Sequence, residues 1–371
     1  VRRALHRQCL LWLCCLWLLP GPGRDGLAGS EPVFTTLWTA ADRHAVPGEE
    51  KSGRRHEPDR SGPSATDVPE LPPLPGRLQG SIRRVDTGGK KLVALTFDLC
   101  ELADQTAGYD GAVVDALRAA GAKATFFAGG KWMRSHPKRA MELLTDPLFE
   151  LGNHAWTHGN FGQLPPTAMR REILWTQAQY AALRAEAARL ARERGAPEAE
   201  IEKIPVAPLL FRFPYGRCRP EALAMLAELG LAAVQWDLVT RDPEPATTAE
   251  AIVTTVMDRV RPGDIVVGHA NGYGHGTGQA LPTLIARLRE RGYTLVTVSE
   301  LLAAGRPVAA SDCYDGHPGD TAQYDRLFGD GTVHPPRRPA KPRTPPAPVS
   351  PAKEPPPAGT AGQDTGAAAK P

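Results

Sequence analysis

The chain carries little net charge, few cysteines and, beyond its first few dozen residues, no long apolar run. A formal charge of +3 over 371 residues leaves no electrostatic footprint for nucleic acid. Without an uninterrupted apolar stretch of about 18 residues after the N-terminal segment, a multi-span membrane protein is excluded. Of six cysteines, Cys9, Cys14 and Cys15 crowd into the N-terminal segment, which leaves Cys100, Cys218 and Cys313 for the rest. Glycine and proline are abundant, 37 of each, about a fifth of the chain and well above ordinary usage. An excess that large marks segments outside a folded domain. Apolar residues make up 42%, enough for a sizeable core, and the length allows one large domain with extras or two ordinary ones.

Arg2, Arg3, His6 and Arg7 open the chain, an apolar stretch from Leu10 to Leu19 follows, and Gly26, Leu27 and Ala28 are small. Basic, short apolar, then small is the secretory pattern. It predicts a signal peptide over 1–28 and an exported protein, periplasmic or secreted, with no membrane span once the signal is removed. An uncleaved anchor is the alternative, and Pro20 argues against it. Residues 29–85 are polar, rich in Pro, Gly, Arg and Asp, and lack a sustained period; they read as a linker. Residues 306–371 read as a Pro/Ala-rich disordered tail.

Between them, over 86–305, short apolar runs alternate with helical patterns. Strands are expected at Lys91–Phe97, Ala124–Ala128, Glu150–Gly152, Leu209–Phe213, Ala232–Trp236, Asp264–Gly268 and Tyr293–Val296, with helices between most of them. That alternation implies parallel strands with helical crossovers. It predicts an α/β fold, a (β/α) barrel of seven or eight strands, closed or slightly irregular. In such barrels chemistry sits at the C-terminal strand ends. Those ends carry Asp98, His154 with His158, Arg212 with Tyr215, Asp237 with Asp242, and His269. His154 and His158 are four apart, a spacing that on one helical turn offers two imidazoles to one metal ion. The glycine-rich loop around His275 is no phosphate cradle, because the strand–loop–helix pattern with Lys is missing.

In order, TFD ending at Asp98, HxxxH from His154, RFPYG from Arg212, an Asp-containing loop and VVGH ending at His269 span about residues 90–303. This series resembles the polysaccharide deacetylase family, the NodB-homology carbohydrate esterases. The resemblance implies a NodB-like barrel and a metal-dependent hydrolase that removes N-acetyl (or O-acetyl) groups from an envelope or extracellular polysaccharide or oligosaccharide, in the manner of a chitooligosaccharide deacetylase. It implies a divalent metal, with zinc expected, held by His154 and His158. Asp98 would be the base that takes a proton from the attacking water, and Arg212 would orient it and lower its pKa. The Tyr215 backbone N–H would stabilise the oxyanion. His269 would protonate the leaving amine, with Asp242 as its acidic partner and Asp237 as the alternative nearer in sequence.

The sequence departs from that pattern in motif one, where the family carries two consecutive Asp residues and the second binds metal. Leu99 stands there and cannot coordinate. Glu101 as a substitute carboxylate, Asp98 itself as a ligand, and a barrel that binds glycan without catalysis are the three accounts left open. Pro243 and Val239 depart in the fourth motif. Cys100 and Cys218 both lie just past strand ends, so a Cys100–Cys218 disulfide is expected, with two buried thiols as the alternative and Cys313 as the spare. Trp156, between the two imidazoles, is a candidate wall for a sugar.

Overall fold

The structure is a computed structural model that describes residues 32–335. The expected signal peptide and the final stretch of the expected tail, 336–371, lie outside the described residues. Ten strands form the main sheet: β1 Ser81–Asp86, β2 Leu92–Leu99, β3 Ala124–Ala128, β4 Phe149–Asn153, β5 Leu210–Phe211, β6 Ala232–Val234, β7 Leu238–Val239, β8 Ile265–His269, β9 Thr294–Leu295 and β10 Arg306–Ala310. Strand β2 is the longest, and seven of its eight residues are buried, as expected for a parallel strand covered on both faces. Its period of two divides them. Val93, Leu95, Phe97 and Leu99 pack with residues of the helices Gly111–Ala119 and Thr277–Glu290. Ala94 joins Ile82, Phe127, Leu210, Val234 and Ile265 in a separate apolar cluster fed by several strands.

The strand order is β10-β1-β6-β5-β4-β3-β2-β8-β7, with β9 beside β2. Pairing is parallel throughout except between β10 and β1. The run 232–239 lies beside β5 and β1 at its start and beside β8 at its end. One stretch of chain thus touches both halves of the sheet and curls it into a partly closed barrel. The expected α/β barrel is what forms, in its irregular version. Helices fill the crossovers, the longest being Pro166–Glu193, which starts at the proline pair as N-terminal prolines allow. Two helices, Gly130–Ser135 and Pro137–Thr145, follow β3, the second beginning at Pro137. No described helix is long and apolar enough to cross a membrane.

The sheet reaches beyond both edges drawn from the sequence, since β1 starts at Ser81 and β10 begins at Arg306. Within 32–85, Val33, Phe34, Leu37 and Trp38 are buried, and Trp38 Nε1 donates to Thr145 Oγ1 at 2.9 Å. Asp59 pairs with the fully buried Lys131 at 2.9 Å and also with Arg134. Within 306–335, Arg217 holds Asp325 at 2.8 Å, and Arg83 donates to the Tyr314 and Asp315 carbonyls. These segments dock through the buried face of one short helix, Val33–Leu37, and a few charged anchors, too little for a sustained period to reveal them.

The expected Cys100–Cys218 disulfide does not form. Cys218 bonds Cys313, 95 residues away, and Cys100 is a free thiol. Cys218 and Cys313 meet inside the apolar cluster of Phe211, Phe213 and Ala222. Cys100 follows the other face of β2, where the polar residues gather.

Candidate active site

Parallel register aligns the chemistry. Asp98 of β2 sits opposite His269 of β8, and Arg212 follows directly on β5, whose Phe211 pairs with Asn153 of β4. Asp98 Oδ1 accepts from Arg212 Nη1 at 2.8 Å. Arg212 is wholly buried. Its remaining donors reach the carbonyls of Val234 and Gln235, both at 3.2 Å, and its guanidinium lies 4.0 Å from the Phe127 ring centre. A cation so confined can only aim at the carboxylate. Burial opposes ionisation of Asp98, but the Arg212 charge, the His269 charge and the Arg212 hydrogen bond outweigh it and hold the carboxyl below its ordinary range.

His154 and His158 come together as expected, with ring centres 5.0 Å apart, but not on a helical turn. They sit on a loop in which Ala155 (φ 63°) and His158 (φ 58°) are left-handed, a conformation that needs outside support. Glu172 supplies it from the long helix. Its buried carboxylate accepts from the Thr157 backbone N–H at 2.7 Å and the Thr157 hydroxyl at 2.6 Å. Asn153 Oδ1 accepts from the Ala155 N–H at 2.9 Å. His154 Nδ1 lies 2.9 Å from the Arg212 carbonyl. A carbonyl only accepts, so Nδ1 carries the proton and Nε2 presents a lone pair. Burial lowers the pKa of both imidazoles, His158 the more strongly.

A divalent ion fits this corner. His154 Nε2 and His158 Nδ1 are buried without a hydrogen-bond partner, and buried polar atoms left so are uncommon. His154 Nε2 faces Asp98 Oδ2 at 3.5 Å, a lone pair against a carboxylate oxygen. Among the described residues, Cys100, His154 and His158 bring one ligand atom each within 4.8 Å of one another. Glu101, the expected substitute ligand, is turned away. Its carboxylate accepts from Ser135 Oγ at 2.7 Å and the Ala107 N–H at 3.1 Å, with Arg55 at 3.5 Å. Those partners lie behind the β2 end and hold the side chain there.

Across the rim, His269 Nδ1 donates to Asp242 Oδ1 at 2.9 Å, which leaves its Nε2 for a substrate. Asp242 also accepts from the His269 N–H and Thr277 Oγ1, both at 2.7 Å, and from Thr240 Oγ1 at 2.9 Å. Burial pushes the imidazole pKa down, but the Asp242 charge and hydrogen bond, with Asp98 behind, raise it above its ordinary value. Asp237, the nearer alternative by sequence, pairs instead with Arg261.

A cavity of about 530 Å³ exposes these groups, lined by Asp98, His158, Tyr215, Asp242 and His269. Tyr215 is left-handed (φ 59°), which turns its backbone sharply at the rim, and its ring packs on His158 and Phe328. Trp156 does not wall the cavity. It is 1% exposed, packs edge-on against Trp175 and donates from Nε1 to the Ser61 carbonyl, so the N-terminal segment covers it. The aromatic wall comes from Trp236, Tyr324 and Phe328, the last two in the segment read as tail. Two contributors escaped the sequence reading. Glu172 carries no local signal, being one acid among many on an amphipathic helix. Cys100 does carry one, because counting by two along β2 from Asp98 places it on the same face.

The chain is also similar to known proteins. The polysaccharide deacetylase family model matches residues 85–197. A peptidoglycan-N-acetylglucosamine deacetylase from Bacillus cereus is 30% identical over 216 residues, covering 57% of this chain and 89% of that protein. A chitooligosaccharide deacetylase from Sinorhizobium fredii is 30% identical over 195 residues, covering 49% of this chain and 80% of that protein. A bifunctional xylanase/deacetylase from Pseudobutyrivibrio xylanivorans is 29% identical over 222 residues, 60% of this chain but only 32% of that longer protein. Motif order, barrel and matched relatives together make this chain a member of the polysaccharide deacetylase family, with NodB homology.

Proposed function

We propose that the protein is a metal-dependent hydrolase that removes N-acetyl (or O-acetyl) groups from an envelope or extracellular polysaccharide or oligosaccharide. The observation that carries this is one cavity bordered by two charge-paired groups of opposite task. Asp98 is kept ionised by Arg212, and His269 is kept protonated by Asp242. Environments that push two titratable groups apart in this way mark a base and an acid. Asp98 takes the proton of the attacking water. His269 gives a proton to the departing amine, so acetate and a free amine result. The Tyr215 backbone N–H, at the cavity rim, would stabilise the oxyanion. A divalent ion held by His154 and His158, with zinc expected, would supply a lowered water pKa and polarise the acyl group.

The glycan class rests on the names of the Bacillus cereus and Sinorhizobium fredii relatives. Export is supported by the Cys218–Cys313 disulfide, a bond that persists in oxidising compartments. The test is acetate release from N-acetylglucosamine oligomers and peptidoglycan fragments by the full chain. Asp98→Asn should lose about 10²- to 10⁴-fold, the usual worth of general-base catalysis; a near-native rate would remove Asp98 as the base.

Leu99 favours a second reading. Its side chain is completely buried in the outer apolar cluster and provides no oxygen, as a barrel that binds glycan without cleaving it would tolerate. Oligosaccharide binding without acetate release from any of these glycans would select that reading.

A further inference from the structure

We propose that Cys100 is the third protein ligand of the metal site, with His154 and His158, so that a thiolate stands where a carboxylate is expected. The proposal rests on the metal-dependent reading above and specifies which atoms hold the ion. Strand geometry is the first ground. β2 extends to Leu99, and its odd-numbered residues Val93, Leu95, Phe97 and Leu99 all pack into the outer apolar cluster. Asp98 therefore faces the site, and the next residue on that face is Cys100, not Leu99. The leucine at 99 and the thiol at 100 form one feature: the side chain at 99 belongs to the apolar face, and the donor stands one residue along.

The second ground is the company the thiol keeps. Its sulfur and the two ring nitrogens gather within 4.8 Å. His154 is 1% exposed and its Nε2 has no hydrogen-bond partner. The other two described cysteines bond each other, so Cys100 has no disulfide partner among the described residues. The third ground is orientation. Asn271 Nδ2 donates to Cys100 Sγ at 3.1 Å and to the Cys100 carbonyl at 3.0 Å. His154 Nδ1 donates to the Arg212 carbonyl. Metal-bound donors are commonly steadied by such outer hydrogen bonds. On binding, the S–H proton leaves to solvent and the sulfur pair forms the bond to the ion. One sulfur and two nitrogens suit zinc or cobalt(II) over the hard ions magnesium and manganese. Asp98, with Oδ1 on Arg212, is then free to act only as the base.

The experiment is anaerobic cobalt(II) reconstitution of the chelator-stripped full chain. The expected result is one bound equivalent with a sulfur-to-cobalt charge-transfer band in the near ultraviolet. Cys100→Ser should lose the band and weaken zinc binding by roughly 100-fold or more, since disturbing an outer partner alone costs about 10–100-fold. Zinc should also protect Cys100 of the unmodified chain from alkylation, a readout that needs no variant. One equivalent of cobalt that depends on His154 but shows no sulfur band overturns the proposal and leaves the metal-dependent reading intact. No stoichiometric binding of cobalt or zinc overturns both.

Discussion

Replacing Asp242 with Asn tests the acid half of the site and has a magnitude the structure constrains. The Asp242 carboxylate faces four donors: His269 Nδ1, the His269 backbone N–H, Thr240 Oγ1 and Thr277 Oγ1. Two unit charges about 4 Å apart at an effective dielectric of about 20 interact by about 4 kcal/mol, a ceiling for what the Asp242 charge contributes. The His269 ring is 22% exposed, so solvent screens part of that attraction, and losing the opposite charge should lower the imidazole pKa. The sign follows from linkage. The folded-state pKa of His269 is raised, so its stabilisation is fully present below the unfolded value and fades as pH rises through the folded value. Asp242→Asn therefore weakens the fold most at mildly acidic pH. The amide must also turn its NH₂ toward donors, and the His269 backbone N–H cannot reverse, which adds about 1–3 kcal/mol. The assay pairs an NMR titration of the His269 ring with the pH profile of acetate release. Both should shift to lower pH, the profile along its alkaline limb. An unmoved imidazole titration in a folded variant would refute the role given to Asp242.

Arg212→Met should raise the Asp98 pKa, so the acid limb of the activity profile moves to higher pH, and breaking the buried pair should cost about 3–5 kcal/mol in denaturant melts. The Asp98 contribution to stability, present above the unfolded carboxyl pKa and lost as pH falls through the depressed folded value, should vanish with it; an unshifted acid limb counts against the pairing. Reducing Cys218–Cys313 opens a loop of 95 residues, worth at most about 4–5 kcal/mol by chain entropy, and loosens the segment carrying Tyr324 and Phe328. Tm should fall and KM for a long oligosaccharide should rise more than kcat falls; an unchanged KM would detach that segment from substrate binding. His154→Ala should strip most bound metal in elemental analysis, and unchanged stoichiometry would contradict the ligand assignment.

The fold was legible because strands buried on both faces are short unbroken apolar runs, and Lys91–Phe97 and Ala124–Ala128 match β2 and β3 within two residues at each end. The charge-paired groups were legible because Asp98 and His269 lie at strand ends, with Arg212 and Asp242 just beyond others, each inside a motif. The flanking segments were not, since Phe34 and Trp38 belong to little more than one helical turn and Asp59 anchors its stretch alone, too little for a sustained period. The disulfide partner was misassigned for a related reason: Cys313 lay in a segment that composition marked as tail, so it was never placed near Cys218. Glu101 looked like a ligand because it is the nearest acid in sequence, but a two-residue period puts Cys100, not Glu101, beside Asp98. The imidazole spacing held while its expected geometry did not. Glu172 and two left-handed residues produce on a loop the convergence a helix would have given.

The most direct test is an anomalous difference map at the zinc edge from crystals of the zinc-loaded full chain. The account predicts one peak about 2.0–2.1 Å from a ring nitrogen of His154 and of His158 and about 2.3 Å from Cys100 Sγ, beside the Asp98 carboxylate. Fully loaded crystals with no peak between the two imidazoles, or with zinc bound elsewhere, would contradict it.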